Sequence, residues 1–142
     1  INRSALVEYS AQQMFDLVND IEHYPKFMQG CISAKVLSQS DTELVGELRL
    51  SKAGISQQFT TKNMLHRPER IDMSLVEGNF TQFTSQWLFD ALTTKACKLS
   101  LSMEFGFKSG LMGFAAEKLF SNSANNLVDA IVQRAHEVYG SE

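Results

Sequence analysis

Apolar and polar residues alternate with two different periods along this chain, and the switches between them lay out its elements. Towards the C-terminus, Ala116, Phe120, Ala124, Leu127, Val128, Ile131, Ala135 and Val138 recur at helical spacing. They predict one long amphipathic helix from Ser109 to Gly140, with Ser109 as N-cap and Gly140 as its stop. Gly113 and the Ser121-Asn122-Ser123 run are where such a helix would bend or start late. Near the N-terminus, Met14, Leu17, Val18 and Ile21 follow the i, i+3, i+4, i+7 pattern of a second helix. Ser10, with Gln13 three residues on, forms its capping box. A short helix from Ile21 to Gln29 is interrupted at Pro25, which biases Tyr24 away from helical backbone.

Between these helices the period is two. Cys31 to Gln39, Leu44 to Leu50, Ile55 to His66, Arg70 to Val76, Gln82 to Asp90 and Ala96 to Phe107 read as strands, with polar turns between them. Asn2 to Glu8 reads as a further strand with weak alternation. The last of the six is the cleanest: Cys97, Leu99, Leu101, Met103, Phe105 and Phe107 alternate with polar residues or glycine. Strict alternation means an antiparallel sheet with one face buried and one wet. Consecutive antiparallel strands with segregated helices predict an α+β chain. A curved meander closed by one long helix is a helix-grip fold, here expected as a single domain over residues 1–142.

Composition narrows the class. The chain has 142 residues, of which 44% are hydrophobic and 20% charged, enough to build a core and too apolar for disorder. The net charge of −3 gives no overall basic field, so DNA is not an expected partner. Cys31 and Cys97 match no metal-ligand spacing and read as reduced, buried thiols of a cytoplasmic protein. No apolar run reaches the length of a membrane span.

Catalytic signatures are scarce. His23, His66 and His136 fall on three separate elements and read as surface or turn residues. Neither a Ser-His-Asp order, nor HExxH, nor a phosphate-binding glycine loop is present. Asp16 and Asp20 lie on a wet helix face, and no histidine is placed near Cys31. Lys62, His66, Arg67 and Arg70 form a small basic cluster at one hairpin, read chiefly as a solvated turn and alternatively as an RNA-phosphate contact. Phe59, Met73, Trp87, Met103, Phe105 and Phe120 share predicted inward faces. By themselves they describe an ordinary core as well as an apolar pocket.

Ser10-Ala11-Gln12-Gln13-Met14-Phe15-Asp16-Leu17-Val18, then Tyr24-Pro25-Lys26-Phe27 and Cys31, together resemble the coenzyme Q-binding members of the START-like (polyketide cyclase/dehydrase) superfamily. Phe59-Thr60-Thr61-Lys62-Asn63, Glu77-Gly78-Asn79-Phe80, Gln86-Trp87-Leu88-Phe89 and the closing Val138-Tyr139-Gly140 extend the resemblance over the whole chain. The same subfamily contains bacterial ribosome association toxins. The resemblance implies a helix-grip fold with a cavity for ubiquinone or a related polyprenyl lipid, held without catalysis or cofactor. Its alternative implication is a toxin-like factor that binds the large ribosomal subunit and blocks subunit association. An enzyme of the cyclase/aromatase type ranks behind both, because no acid–base set converges.

On this reading the sheet contributes Phe59, Met73, Trp87, Leu101, Met103 and Phe105 to the ligand site. The closing helix contributes Phe120, Ala124, Leu127 and Ile131, and Tyr24 and Phe27 form the rim. Expected partners are a quinone-like molecule, the large ribosomal subunit in the alternative, and a membrane in transient contact.

Overall fold

The computed structural model describes residues 1–140. Its frame is one seven-stranded sheet in the order β1-β7-β6-β5-β4-β3-β2, every neighbouring pair antiparallel. The strands are β1 (Asn2–Val7), β2 (Cys31–Gln39), β3 (Glu43–Lys52), β4 (Ile55–His66), β5 (Arg70–Glu77), β6 (Phe80–Thr93) and β7 (Ala96–Phe107). β2, β4 and β7 keep the bounds that the alternation predicts. β6 starts two residues earlier than expected, because a register shift between Phe80 and Gln82 lets Phe80 join the buried face out of phase. Bulges of this kind bend a strand and raise its twist, which curves the sheet into a cup.

Helix α1 (Ala11–Asn19) begins with the predicted capping box: the Gln13 N–H donates to Ser10 Oγ, and the Ser10 N–H donates to Gln13 Oε1. A short 3₁₀ helix, Ile21–Lys26, follows and contains Pro25. The long C-terminal helix is present and bent: α2 (Leu111–Asn125) and α3 (Leu127–Tyr139) meet at Asn126, so the bend falls there rather than at Gly113 or Ser121-Asn122-Ser123. There the Asn126 side chain turns back to donate to the Asn122 carbonyl at 2.7 Å. The N-cap is Gly110, not Ser109. Gly113 serves close approach instead of bending, since a Cβ there would strike the Lys108 carbonyl. Gly140 does end α3, with φ of 82° and its N–H on the His136 carbonyl. Val138, assigned to the buried stripe, is 48% exposed.

The two helices cover different parts of the cup. α3 packs on β1, β7 and α1, while α2 packs on β3, β4 and β7. On the α1–α3 side Met14, Phe15, Leu99, Ile131 and Ala135 are fully buried. Tyr9 Oη joins His136 Nδ1 at 2.8 Å and donates to the Gly140 carbonyl, and Tyr139 Oη donates to the Gln13 carbonyl at 2.9 Å. The end of α3 is thereby bound to the start of α1.

Candidate ligand cavity

Under α2 and the 3₁₀ helix the packing opens into an internal cavity of about 50 Å³. Its walls come from every layer of the fold: Val18 and Ile21, Tyr24 and Met28, the inward residues of β3 to β7, and Phe120, Ala124 and Leu127 above. The alternation of β4 delivers Phe59, Thr61 and Asn63 to one face in steps of two. Ile71 and Met73 on β5, Phe83 and Trp87 on β6 and Met103 on β7 complete the floor by the same rule.

Of the site residues expected from sequence, Tyr24, Phe59, Met73, Trp87, Met103, Phe120, Ala124 and Leu127 line this cavity. Four do not. Leu101 is buried beside Trp87 in the β6–β7 register and Ile131 is fully buried on α3, so both belong to the close-packed core. Phe105 stands edge-on to Phe120 at 4.7 Å, outside the cavity wall. Phe27 packs against Tyr24 at 5.3 Å, with the Arg134 guanidinium 5.6 Å from its ring, and straps the 3₁₀ helix to α3.

Sequence reading missed Thr61 and Asn63, because they sit in a strand whose polar residues outnumber its apolar ones. The available signal was their spacing from Phe59 and Leu65, which places all four on one face. Gly46 was also missed. A Cβ there would collide with Ile21, so its absence lets that side chain seat on the sheet.

The cavity has a polar end and an aromatic end. Thr61 Oγ1 donates to Asn63 Oδ1 at 2.9 Å, and both residues are buried. At the other end Phe59, Phe80 and Phe120 meet edge to face, with centroids 5.1–5.7 Å apart. Tyr24 is the one ionisable side chain lining the space. Burial pushes its phenol far above the ordinary value, helped by Cys31 and Asp20, and its hydroxyl donates to the Val18 carbonyl at 2.5 Å. It therefore stays protonated at neutral pH. Burial likewise pushes the Cys31 thiol up to about 11, only partly offset by the Ser33 backbone; the thiol donates to the Ser33 carbonyl. Both cysteines are free and buried.

The basic hairpin cluster is largely neutralised. Lys62 pairs with Glu43 at 3.4 Å, Arg67 with Asp16 at 3.2 Å, and Arg70 and His66 with Asp72 at 3.0 and 3.3 Å. At Asp72, burial works against ionisation, but hydrogen bonds from Gln86 and Arg70 outweigh it and hold the carboxyl below its ordinary range. No helix among the described residues is long and apolar enough to cross a membrane.

Residues 7–132 match the family model described as polyketide cyclase / dehydrase and lipid transport. The chain belongs to that family. Its relatives include the ribosome association toxin RatA of Vibrio cholerae, 46% identical over 99% of this chain and 97% of that protein. The toxin of the same name from Escherichia coli K12 is 40% identical, over 99% and 89%. A more distant relative is the mitochondrial coenzyme Q-binding protein COQ10 homolog B of Xenopus laevis, 24% identical over 99% of this chain and 59% of that protein. Among solved structures, the Zhui aromatase/cyclase from Streptomyces superposes with a TM-score of 0.81 over 96% of this chain and 92% of that one. At 14% identity this likeness concerns the fold alone. Together they establish the START-like helix-grip architecture, a fold suited to holding hydrophobic ligands.

Proposed function

We propose that this protein is a ribosome-associating, toxin-like factor of the cytoplasm that holds an apolar molecule between its sheet and α2. The observation carrying the first part is 40–46% identity to ribosome association toxins across almost their whole length. Ligand binding comes first on the sequence pattern and the ribosome second; the identity to these toxins supports placing the ribosome first. The large subunit is the intended partner, and interference with subunit joining the intended effect. The neutralised basic hairpin argues for a contact surface elsewhere than Lys62, Arg67 and Arg70. Sedimentation of the protein with purified subunits through a sucrose gradient tests this. It should travel with the large subunit and deplete joined ribosomes; protein left at the top of the gradient at low salt overturns the proposal.

The second part rests on the cavity and its apolar walls. Its volume is far below the roughly 300–1,000 Å³ of pockets for drug-sized ligands. A quinone ring must therefore displace side chains, and Met28, Met73 and Met103 on the wall are of the adaptable type. Burial would contribute about 25 cal/mol per Å² of apolar surface removed from water. The wall offers no proton donor or acceptor poised near neutrality, which supports binding without catalysis. Leu111, Met112 and Phe114, 83%, 70% and 68% exposed in the first turn of α2, favour transient contact with a membrane as the source of such a ligand. Organic extraction of the purified protein followed by mass spectrometry tests for a bound polyprenyl quinone.

A further inference from the structure

Most of the cavity wall is hydrocarbon, which makes its few polar atoms informative. Thr61 and Asn63 are each about one-twentieth exposed and point the same way from β4. Such groups are hydrogen-bonded when buried, because an unmet donor costs about 1–3 kcal/mol. Asn63 Oδ1 is met by the Thr61 hydroxyl. Asn63 Nδ2 is not among the sealed, unpartnered polar atoms of the described residues, so it keeps open space beside it, and the side chain lines the cavity. In this arrangement the Thr61 hydroxyl takes up the amide oxygen and leaves Nδ2 as the end free for a further partner.

The surroundings set the sign of the ligand. No Lys, Arg or His stands among the residues lining the cavity, so a carboxylate or phosphate brought there would lose its water without a counter-ion. Nor is a carboxylate present to receive an ammonium group. Four residues along β4 from Asn63 lies Phe59, about 13 Å away at strand rise, where the phenyl cluster begins. One end offers N–H donors and the other aromatic faces.

Building on the proposal that the cavity holds an apolar molecule, we infer that Asn63, oriented by Thr61, is the polar anchor of the site. It selects an uncharged ligand that presents a carbonyl or ether oxygen at one end and an apolar body towards Phe59 and Phe120. Asn63 touches the ligand; Thr61 is a positioning residue. Fatty acids and phospholipids are excluded by the same geometry.

The test compares three probes of similar length: decylubiquinone, the hydrocarbon decylbenzene and the anion dodecanoate. Trp87, the chain's one tryptophan, lines the cavity, so its quenching reports the quinone and the other two are read as competitors. The parent protein should bind decylubiquinone more tightly than decylbenzene and should ignore dodecanoate. Asn63→Leu should weaken the quinone about tenfold while leaving decylbenzene unchanged or tighter, since only the donor is lost. Thr61→Val should lower the quinone-to-hydrocarbon ratio by a smaller factor, about threefold, which a purely structural role would not do. If Asn63→Leu does not fold, Asn63→Ser, too short to reach, gives the same reading. Quinone binding that survives these changes, or dodecanoate competing as well as decylbenzene, overturns the anchor while the cavity proposal stands. A parent protein that binds none of the three overturns both.

Discussion

α2 and α3 arise from one apolar stripe, yet they cover different things. α3 buries Ile131 and Ala135 completely against α1, β1 and β7. α2 closes a cavity with Phe120 and Ala124 and leaves its first turn bare. Alanine therefore has two meanings on the same face. At Ala135 it permits close packing; at Ala124 it leaves space beside Trp87 and Met103. A helical stripe reports that a face is covered, not whether the cover is tight.

Deletion within α3 gives the largest separation. Ile131→Ala should cost about 2–5 kcal/mol, read as a lower urea midpoint, because its surroundings have no room to collapse differently. A cost below about 1 kcal/mol would mean that α3 is loosely seated after all. Enlargement comes next. Ala135→Phe should destabilise by about 1–3 kcal/mol or more through overpacking. Ala124→Phe should destabilise by less than Ala135→Phe, because part of the new ring enters the cavity, while abolishing decylubiquinone binding. Equal destabilisation at both positions would erase the distinction drawn between the helices.

The two thiols give the smallest and most local comparison. Cys97, fully buried, belongs to the α1–α3 side. Cys31 follows Gly30, which packs on Ser123 and Leu119 of α2. Iodoacetamide should modify native Cys31 several-fold faster than Cys97, and faster still as the pH rises towards 11, where its thiolate forms. The folded state holds the Cys31 proton more tightly than the unfolded chain. That contribution to stability is whole below the ordinary thiol value of 9.0 and is lost as pH climbs through about 11. Full modification of both after denaturation, with no mass deficit beforehand, would confirm that neither is oxidised.

Much of the fold was legible because alternation and capping are local. The bounds of β2, β4 and β7 and the Ser10–Gln13 box follow from residues within one element. The break at Asn126 was not legible, since the apolar stripe continues through it and neither glycine nor proline marks it. The weak signal was Asn122, Asn125 and Asn126 in close succession, residues of poor helix propensity whose side chains compete for backbone groups. Of the cavity, the large residues could be named from their faces. Leu101, Phe105 and Ile131 share those faces but lie off the cavity wall, because periodicity gives direction but not depth. Thr61 and Asn63 were overlooked because polarity suggested an outward face.

The interruption at Asn126 has a consequence for how the protein breathes. A continuous helix would open or stay closed as one cooperative unit, whereas two helices with separate docking surfaces open at separate free energies. Amide hydrogen exchange should therefore resolve α2 as a low-protection unit and α3 as part of the global one. An occupant beneath Ala124 should slow exchange in residues 111–125 and leave residues 127–139 at the rate of whole-molecule unfolding.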